Sequence, residues 1–277
     1  MILVRRAVGV VVALAVLVAV AIGLYRLDQR VFGGTDGLAT VTGTATTAHP
    51  TKKLLLIEGL AIRDIARKVP AVGLDATAYL DAVRRASPPS GFLPASEHPA
   101  PVEGFLFPAT YDVEQPPAAG DFVQQQLDAF SVAFAQVDMK YAKGKNLSRY
   151  DVLKIASMVE REAVAPSDRA KIAAVIYNRL HARVPLGIDS TIEYAIGAWR
   201  EPTASELTIA SPYNSRIHRG LPPTPISNPG LASIKAAAHP AAVPYLYFYA
   251  IPGDKKGRMY FTTSYDDFLA YIKAHPA

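Results

Sequence analysis

Apolar positions follow three patterns along the chain. From Ala7 to Tyr25 they are almost continuous, AVGVVVALAVLVAVAIGLY, 19 residues without a charge or a proline. As a helix rising about 1.5 Å per residue, this run spans about 28 Å, close to the ~30 Å hydrocarbon core of a bilayer. It predicts a transmembrane helix over residues 7–25. Arg5 and Arg6 precede it and Tyr25 ends it, which places residues 1–6 in the cytoplasm and the body outside. Ala19-Val20-Ala21 also reads as a signal-peptide cleavage site, but the apolar run continues past it to Leu24, which favours a retained anchor.

Residues 26–52 are rich in Gly and Thr and read as a linker, with one short strand near Leu38 to Thr42. Beyond it the apolar spacing turns helical or alternating. Leu54–Ile57 predicts a strand, followed by a helix to about Lys68 on Ile62, Ile65, Ala66 and Val69. A second helix spans 75–86, with Asp75 as its N-cap. Pro and Gly then dominate from Ser87 to Pro117, which predicts a long loop. Helices are expected at 121–137, 148–163, 168–181 and 233–238. The stretches PYLYFYA and RMYFTTS read as strands of a hairpin turned by GDKKG, and a helix over 265–274 closes the chain. The predicted fold class is α+β: a transmembrane helix, then a domain of helices and short strands over 53–277 with a substrate groove.

Composition narrows the function. The 277 residues are 50% hydrophobic and 19% charged, which excludes disorder for the bulk of the chain. No cysteine is present, so disulfides, zinc–thiolate sites and thiol nucleophiles are excluded. The net charge is +5, of which the first 30 residues carry +3. A nearly neutral body argues against nucleic acid as a partner. The six histidines show no metal spacing, and no nucleophile elbow, phosphate loop or dinucleotide fingerprint occurs. Neither a metal nor a cofactor is expected. Acid–base chemistry by carboxyl groups remains.

The segment YDVLKIASMVEREAV carries the most informative carboxyl. At about 100° per residue, Glu162 falls within about 20° of Ile155, in the stripe formed by Val152, Met158 and Val159. Glu160 falls about 140° away, which predicts a solvent-facing side chain. A carboxyl among apolar groups has its charged form disfavoured and can act as a general acid near neutrality. The same position also suits a core glutamate satisfied by an arginine or a backbone amide.

Longer motifs decide between these readings. ASMVEREA followed by AAVIYNRL resembles the signature of the endolytic murein transglycosylases, the MltG- or YceG-like family. IEGLAIRDIA, EGFLFPATY and SPYNSRIHRGLPPTPISNPGLASIKAAAHPA are similar to further family motifs in the same order, as are YLYFYA and YFTTSYDDF. The likeness covers roughly residues 54–270. It implies a lyase of the inner membrane, with its catalytic domain on the extracytoplasmic side. Such an enzyme cuts the MurNAc–GlcNAc bond of peptidoglycan glycan strands without water, leaving 1,6-anhydroMurNAc ends, and works beside peptidoglycan synthases. On the matching positions the resemblance implies Glu162 as the catalytic acid. It also implies Asn178, Tyr213, Asn214, Glu103 and Asp189 as groove-lining candidates. Asp189 and Glu193 are the candidates for a second carboxylate.

The chain departs from the family pattern at LGIDST, where Gly187 replaces a Gln and Ser190 a Pro. The span from Tyr25 to Ile57 is also too short for the LysM-like subdomain of many family members. Trp199 reads as packing or as a sugar-stacking face, and the tyrosines at 245, 247 and 249 read as a half-buried strand. A water-using muramidase and a catalytically idle glycan-binding scaffold are the alternative functions. The topology is testable: a reporter active only outside the cytoplasm, fused after Ala277, is expected to be active. Activity of a cytoplasm-only reporter at that site would overturn the assignment.

Overall fold

The computed structural model describes residues 50–93 and 101–276. The expected transmembrane helix, the strand near Leu38–Thr42 and all but the last residues of the linker lie outside the described residues. Among the described residues, no helix is long and apolar enough to cross a membrane.

The described residues begin with strand β1 (Thr51–Leu55), helix α1 (Ile62–Lys68) and helix α2 (Ala76–Arg85). Asp75 caps α2 as expected, its carboxylate accepting the Ala78 amide at 2.8 Å. Strand β2 (Thr110–Glu114) then pairs antiparallel with β1, from Thr51 opposite Glu114 to Leu55 opposite Thr110. This strand corrects the reading of Ser87–Pro117 as a loop throughout. Tyr111 and Val113 point inward and alternate with exposed Thr110, Asp112 and Glu114. Five residues of alternation among many prolines become a strand only because β1 supplies the partner.

Helices α3 (Ala119–Phe134), α4 (Lys140–Gly144), α5 (Arg149–Glu162), α6 (Arg169–Ala182) and α7 (Asp189–Ile196) follow, of which α4 and α7 were not anticipated. Helix α8 (Leu231–Ala238), the hairpin β3 (Tyr247–Ala250)–β4 (Met259–Thr262) and helix α9 (Tyr265–Ala274) complete the fold. Mixed helices and two short sheets agree with the α+β expectation.

Helix α5 is the centre. It starts in a capping box, with the Ser148 hydroxyl accepting the Asp151 amide and the Asp151 carboxylate accepting the Ser148 amide. Val152, Leu153, Ile155, Ala156, Met158 and Val159 are each 0% exposed, so α5 is enclosed well beyond one stripe. It packs against α6, α7 and α8. The turn at Gly104 lies against the proline-rich segment before α8. Its φ is +90°, and a Cβ there would stand 2.6 Å from the Pro225 ring. Glycine alone satisfies both demands.

An aromatic cluster joins α3 to this centre. The Phe130 ring lies 5.3 Å from Phe92, 5.0 Å from Phe105 and 5.6 Å from Phe134. Phe130 is fully buried, so Phe130→Ala is expected to lose about 3–5 kcal/mol of stability. A urea titration checks this; a loss under about 1 kcal/mol would mean that the cluster is not a core.

Candidate active site

Among the described residues, Glu103 and Glu162 have their pKa values raised to about 7, and their surroundings differ in kind. Glu103 is 3% exposed. Its Oε1 and Oε2 accept the Ile62 amide, both at 3.2 Å, at the start of α1. Tyr194 of α7 donates its hydroxyl at 3.2 Å and the Asn228 amide group donates at 3.0 Å. Burial nonetheless pushes the Glu103 pKa up to about 7, with the Ile62 amide the largest opposing influence. Glu103 lines a cavity of about 660 Å³ together with Ile62, Arg63, Ala66 and Leu80. With amide, hydroxyl and side-chain donors already on it, Glu103 ties α1, α7 and the segment before α8 together.

Glu162 ends α5. It is half-buried, and desolvation raises its pKa to about 7. The Ser190 hydroxyl and amide oppose that rise, while the charges of Asp189 and Glu193 reinforce it. Among the described residues, one hydrogen bond reaches its carboxyl: the Ser190 amide donates to Oε1 at 3.3 Å. Ser190 is the second residue of α7, so the carboxyl sits at that helix's N-terminus. The raised proton affinity, partial access and spare hydrogen-bonding capacity coincide at Glu162. That is the combination a proton donor needs, and Glu103 lacks the spare capacity.

The two expected partner carboxylates are both engaged by arginine. Arg216 grips Asp189 in a two-pronged pair, Nε to Oδ1 at 2.8 Å and Nη2 to Oδ2 at 2.9 Å. Glu193 faces Arg161 at 4.0 Å, and burial raises its pKa.

Glu160 corrects an expectation. Its side chain is 7% exposed rather than solvent-facing. Oε2 accepts the Gly230 amide at 2.9 Å, capping α8, and Oε1 lies 3.6 Å from Arg169. A position off the main apolar stripe faces water only if one side of the helix is covered, and α5 is covered on several.

The motif amides act as ties. Asn178 donates to the Val243 and Tyr245 carbonyls at 3.0 and 2.8 Å, while its neighbour Tyr177 donates to Ala237 O at 2.7 Å. Asn214 is fully buried and donates to the Leu207 and Ile209 carbonyls. The Tyr213 hydroxyl meets Thr224 at 2.8 Å, and its ring lies 5.0 Å from Tyr194. None of these bonds touches Glu162. Trp199 packs between guanidinium groups, 3.8 Å from Arg161 and 4.7 Å from Arg63, and its Nε1 donates to Asp64 at 2.7 Å. Gly187, where the family pattern has Gln, has φ +60°, and a Cβ there would stand 2.9 Å from Arg179 Nη1. A longer side chain at 187 requires Arg179 to move.

The sequence marks Ser190 as a departure from the family pattern without a role, and does not single out Tyr194 or Asn228. Asn228 accepts the Leu106 amide at 2.8 Å and donates to both Leu60 and Glu103. Its place in ISNPG was a usable signal. Ser190 and Tyr194 lie on the unanticipated α7; the departure at LGIDST points to Ser190, and nothing local marks Tyr194.

Fold and site together define an α+β domain with a partly accessible, desolvated acid, Glu162, where α5 meets α7. The model of the YceG-like family matches residues 5–274, and the chain belongs to that family. It is 38% identical over 151 residues to an endolytic murein transglycosylase of Bacillus subtilis, covering 54% of this chain and 42% of that protein. It is 32% identical over 182 residues to one of Streptococcus pneumoniae, covering 63% of this chain and 32% of that protein. The chain therefore matches less than half the length of either relative. A crystal structure of a YceG-like protein from Listeria monocytogenes superposes with a TM-score of 0.70 at 31% identity, covering 79% of this chain and 75% of that one.

The raised pKa of Glu162 has a stability signature. A carboxyl whose folded pKa lies near 7, against 4.5 as the ordinary value, contributes its stabilisation fully below about pH 4.5. That contribution is lost as pH rises through 7. Glu162→Gln removes the dependence. It is expected to exceed the unmodified protein in stability at pH 8 by on the order of 2–3 kcal/mol, with no gap at pH 4. Urea midpoints at both pH values check this; a constant difference would contradict the raised pKa.

Proposed function

We propose that the protein is an endolytic murein transglycosylase in which Glu162 serves as both general acid and general base. The carrying observation is a half-buried carboxyl whose pKa burial raises to about 7, held by one amide. Family membership and the names of the relatives support the same reading.

The chemistry follows from one carboxyl group. Protonated Glu162 gives its proton to the glycosidic oxygen, and the C1–O bond of the MurNAc residue breaks. The C6 hydroxyl of the same sugar attacks C1, and its proton passes to the carboxylate. A C1–O6 bond replaces the C1–O4′ bond, no water enters, and Glu162 ends as it began. The intramolecular hydroxyl takes the place of the nucleophile or activated water that a hydrolase requires. A hydrolase also requires a second free carboxylate, and the arginine pairing of Asp189 and Glu193 weighs against that role.

The apolar run of residues 7–25 supports attachment to the cytoplasmic membrane with the domain on the outer side. Such a tether keeps the acid close to newly made glycan strands and the synthases that produce them, where cutting ends strand growth.

Mass spectrometry of digested strands tests the proposal. Anhydro ends are expected, and Glu162→Gln is expected to lower their yield about 10²- to 10⁴-fold. Because the acid must carry its proton, activity should fall as pH rises through about 7. Reducing ends would indicate a muramidase, and absence of cleavage a binding protein.

A further inference from the structure

Ser190 combines two features seldom found together in a stable fold. It is 3% exposed, and its hydroxyl makes no hydrogen bond of good geometry, although it stands close enough to Glu162 to oppose the rise of that carboxyl's pKa. A buried hydroxyl left unpaired is destabilising, and native folds rarely retain one without cause. Its amide meanwhile donates to Oε1 of Glu162 at 3.3 Å, longer than the ~2.7–2.9 Å of a bond to a full negative charge. A long bond suits a neutral carboxyl.

The backbone around Ser190 is fixed from several directions. Thr191 Oγ1 lies 2.9 Å from Ser215 Oγ, which also accepts the Ile188 amide at 2.9 Å. Asp189 is held by Arg216. Further along α7, Arg63 Nη1 donates to Tyr194 O at 2.7 Å, and the Tyr194 hydroxyl donates to Glu103. The Ser190 backbone therefore cannot easily follow a moving ligand, whereas its hydroxyl can rotate.

We propose that Ser190 is the positioning residue of Glu162: its amide holds Oε1, and its hydroxyl rotates onto the carboxylate once the proton has left. This inference rests on the acid–base reading of Glu162. The amide occupies Oε1 and leaves Oε2 to deliver and recover the proton. After delivery, a carboxylate in a desolvated place needs donors, and the idle hydroxyl supplies one without any backbone movement. The other charged groups facing Glu162 are Asp189 and Glu193 on α7, which oppose its ionisation, and Arg161 on α5, which favours it. Ser190 is thus the uncharged donor among them.

The test separates this proposal from the function it rests on. Glutamate carboxyl carbons are labelled with ¹³C in the full chain, and the signal missing in Glu162→Gln identifies Glu162. Its titration is followed in the unmodified protein, in Ser190→Ala, which lacks the hydroxyl, and in Ser190→Pro, which lacks hydroxyl and amide hydrogen alike. Proline is tolerated in a helix's first turn, so both variants should fold. The midpoint is expected to rise by about one pH unit in Ser190→Ala, a tenfold change in proton affinity, and further in Ser190→Pro. Thermal stability of Ser190→Ala at pH 5 should be unchanged or higher, because the deleted group was unpaired. An unchanged or lowered midpoint in both variants would overturn the proposal even if strands are still cut to anhydro ends. A raised midpoint in a protein that cuts nothing would uphold it and defeat the transglycosylase reading alone.

Discussion

A carboxyl group withdrawn from water keeps its proton unless donors are waiting for the charge. The arrangement of this domain around α5 turns on that constraint. Burial acts on Glu103 and Glu162 in the same direction, and for both it is the largest influence on the pKa. What separates them is the number of donors and whether another molecule can approach. Glu103 is supplied by a backbone amide, a phenol and a side-chain amide, and it becomes a fastening. Glu162 has one long amide bond and partial access, and it remains available for reaction.

Helix α7 connects the two acids. Ser190 near its start meets Glu162, and Tyr194 one turn later meets Glu103. The fastening at one end fixes the donor at the other. Arg216 and Ser215 also hold the start of α7. Because α5 packs against α6, α7 and α8 together, the end of α5 is placed by the whole core, and a shift of any one neighbour is resisted by the others.

Much of this was legible in the sequence, and the omissions have physical causes. Helical spacing located α5, and Glu162 stood out because a carboxyl occupied a place in the apolar stripe. The motifs carried the family. Glu160 was misplaced because a helical wheel refers to one packed side, whereas the pairing of Glu160 with Gly230 depends on α8, some 70 residues further on. Strand β2 and helix α7 are short and owe their existence to partners distant in sequence. Asn178 and Asn214 were recognisable as motif positions. The sequence could not reveal that their amides hold the β3 approach and the 207–209 turn.

Trp199 has one more consequence. It is the chain's single tryptophan, and its ring lies between Arg63 of α1 and Arg161, the residue immediately before Glu162. Its indole hydrogen is bound by Asp64. The tryptophan emission of the unlabelled protein, excited selectively over its tyrosines, therefore arises at one known place, the junction of α1 and α5 beside Glu162. Any loosening of that junction changes the distance from the ring to two positive charges and exposes the indole to water. The protein thus carries an intrinsic optical gauge beside Glu162, and a ligand that disturbs this junction can be followed without attaching a dye.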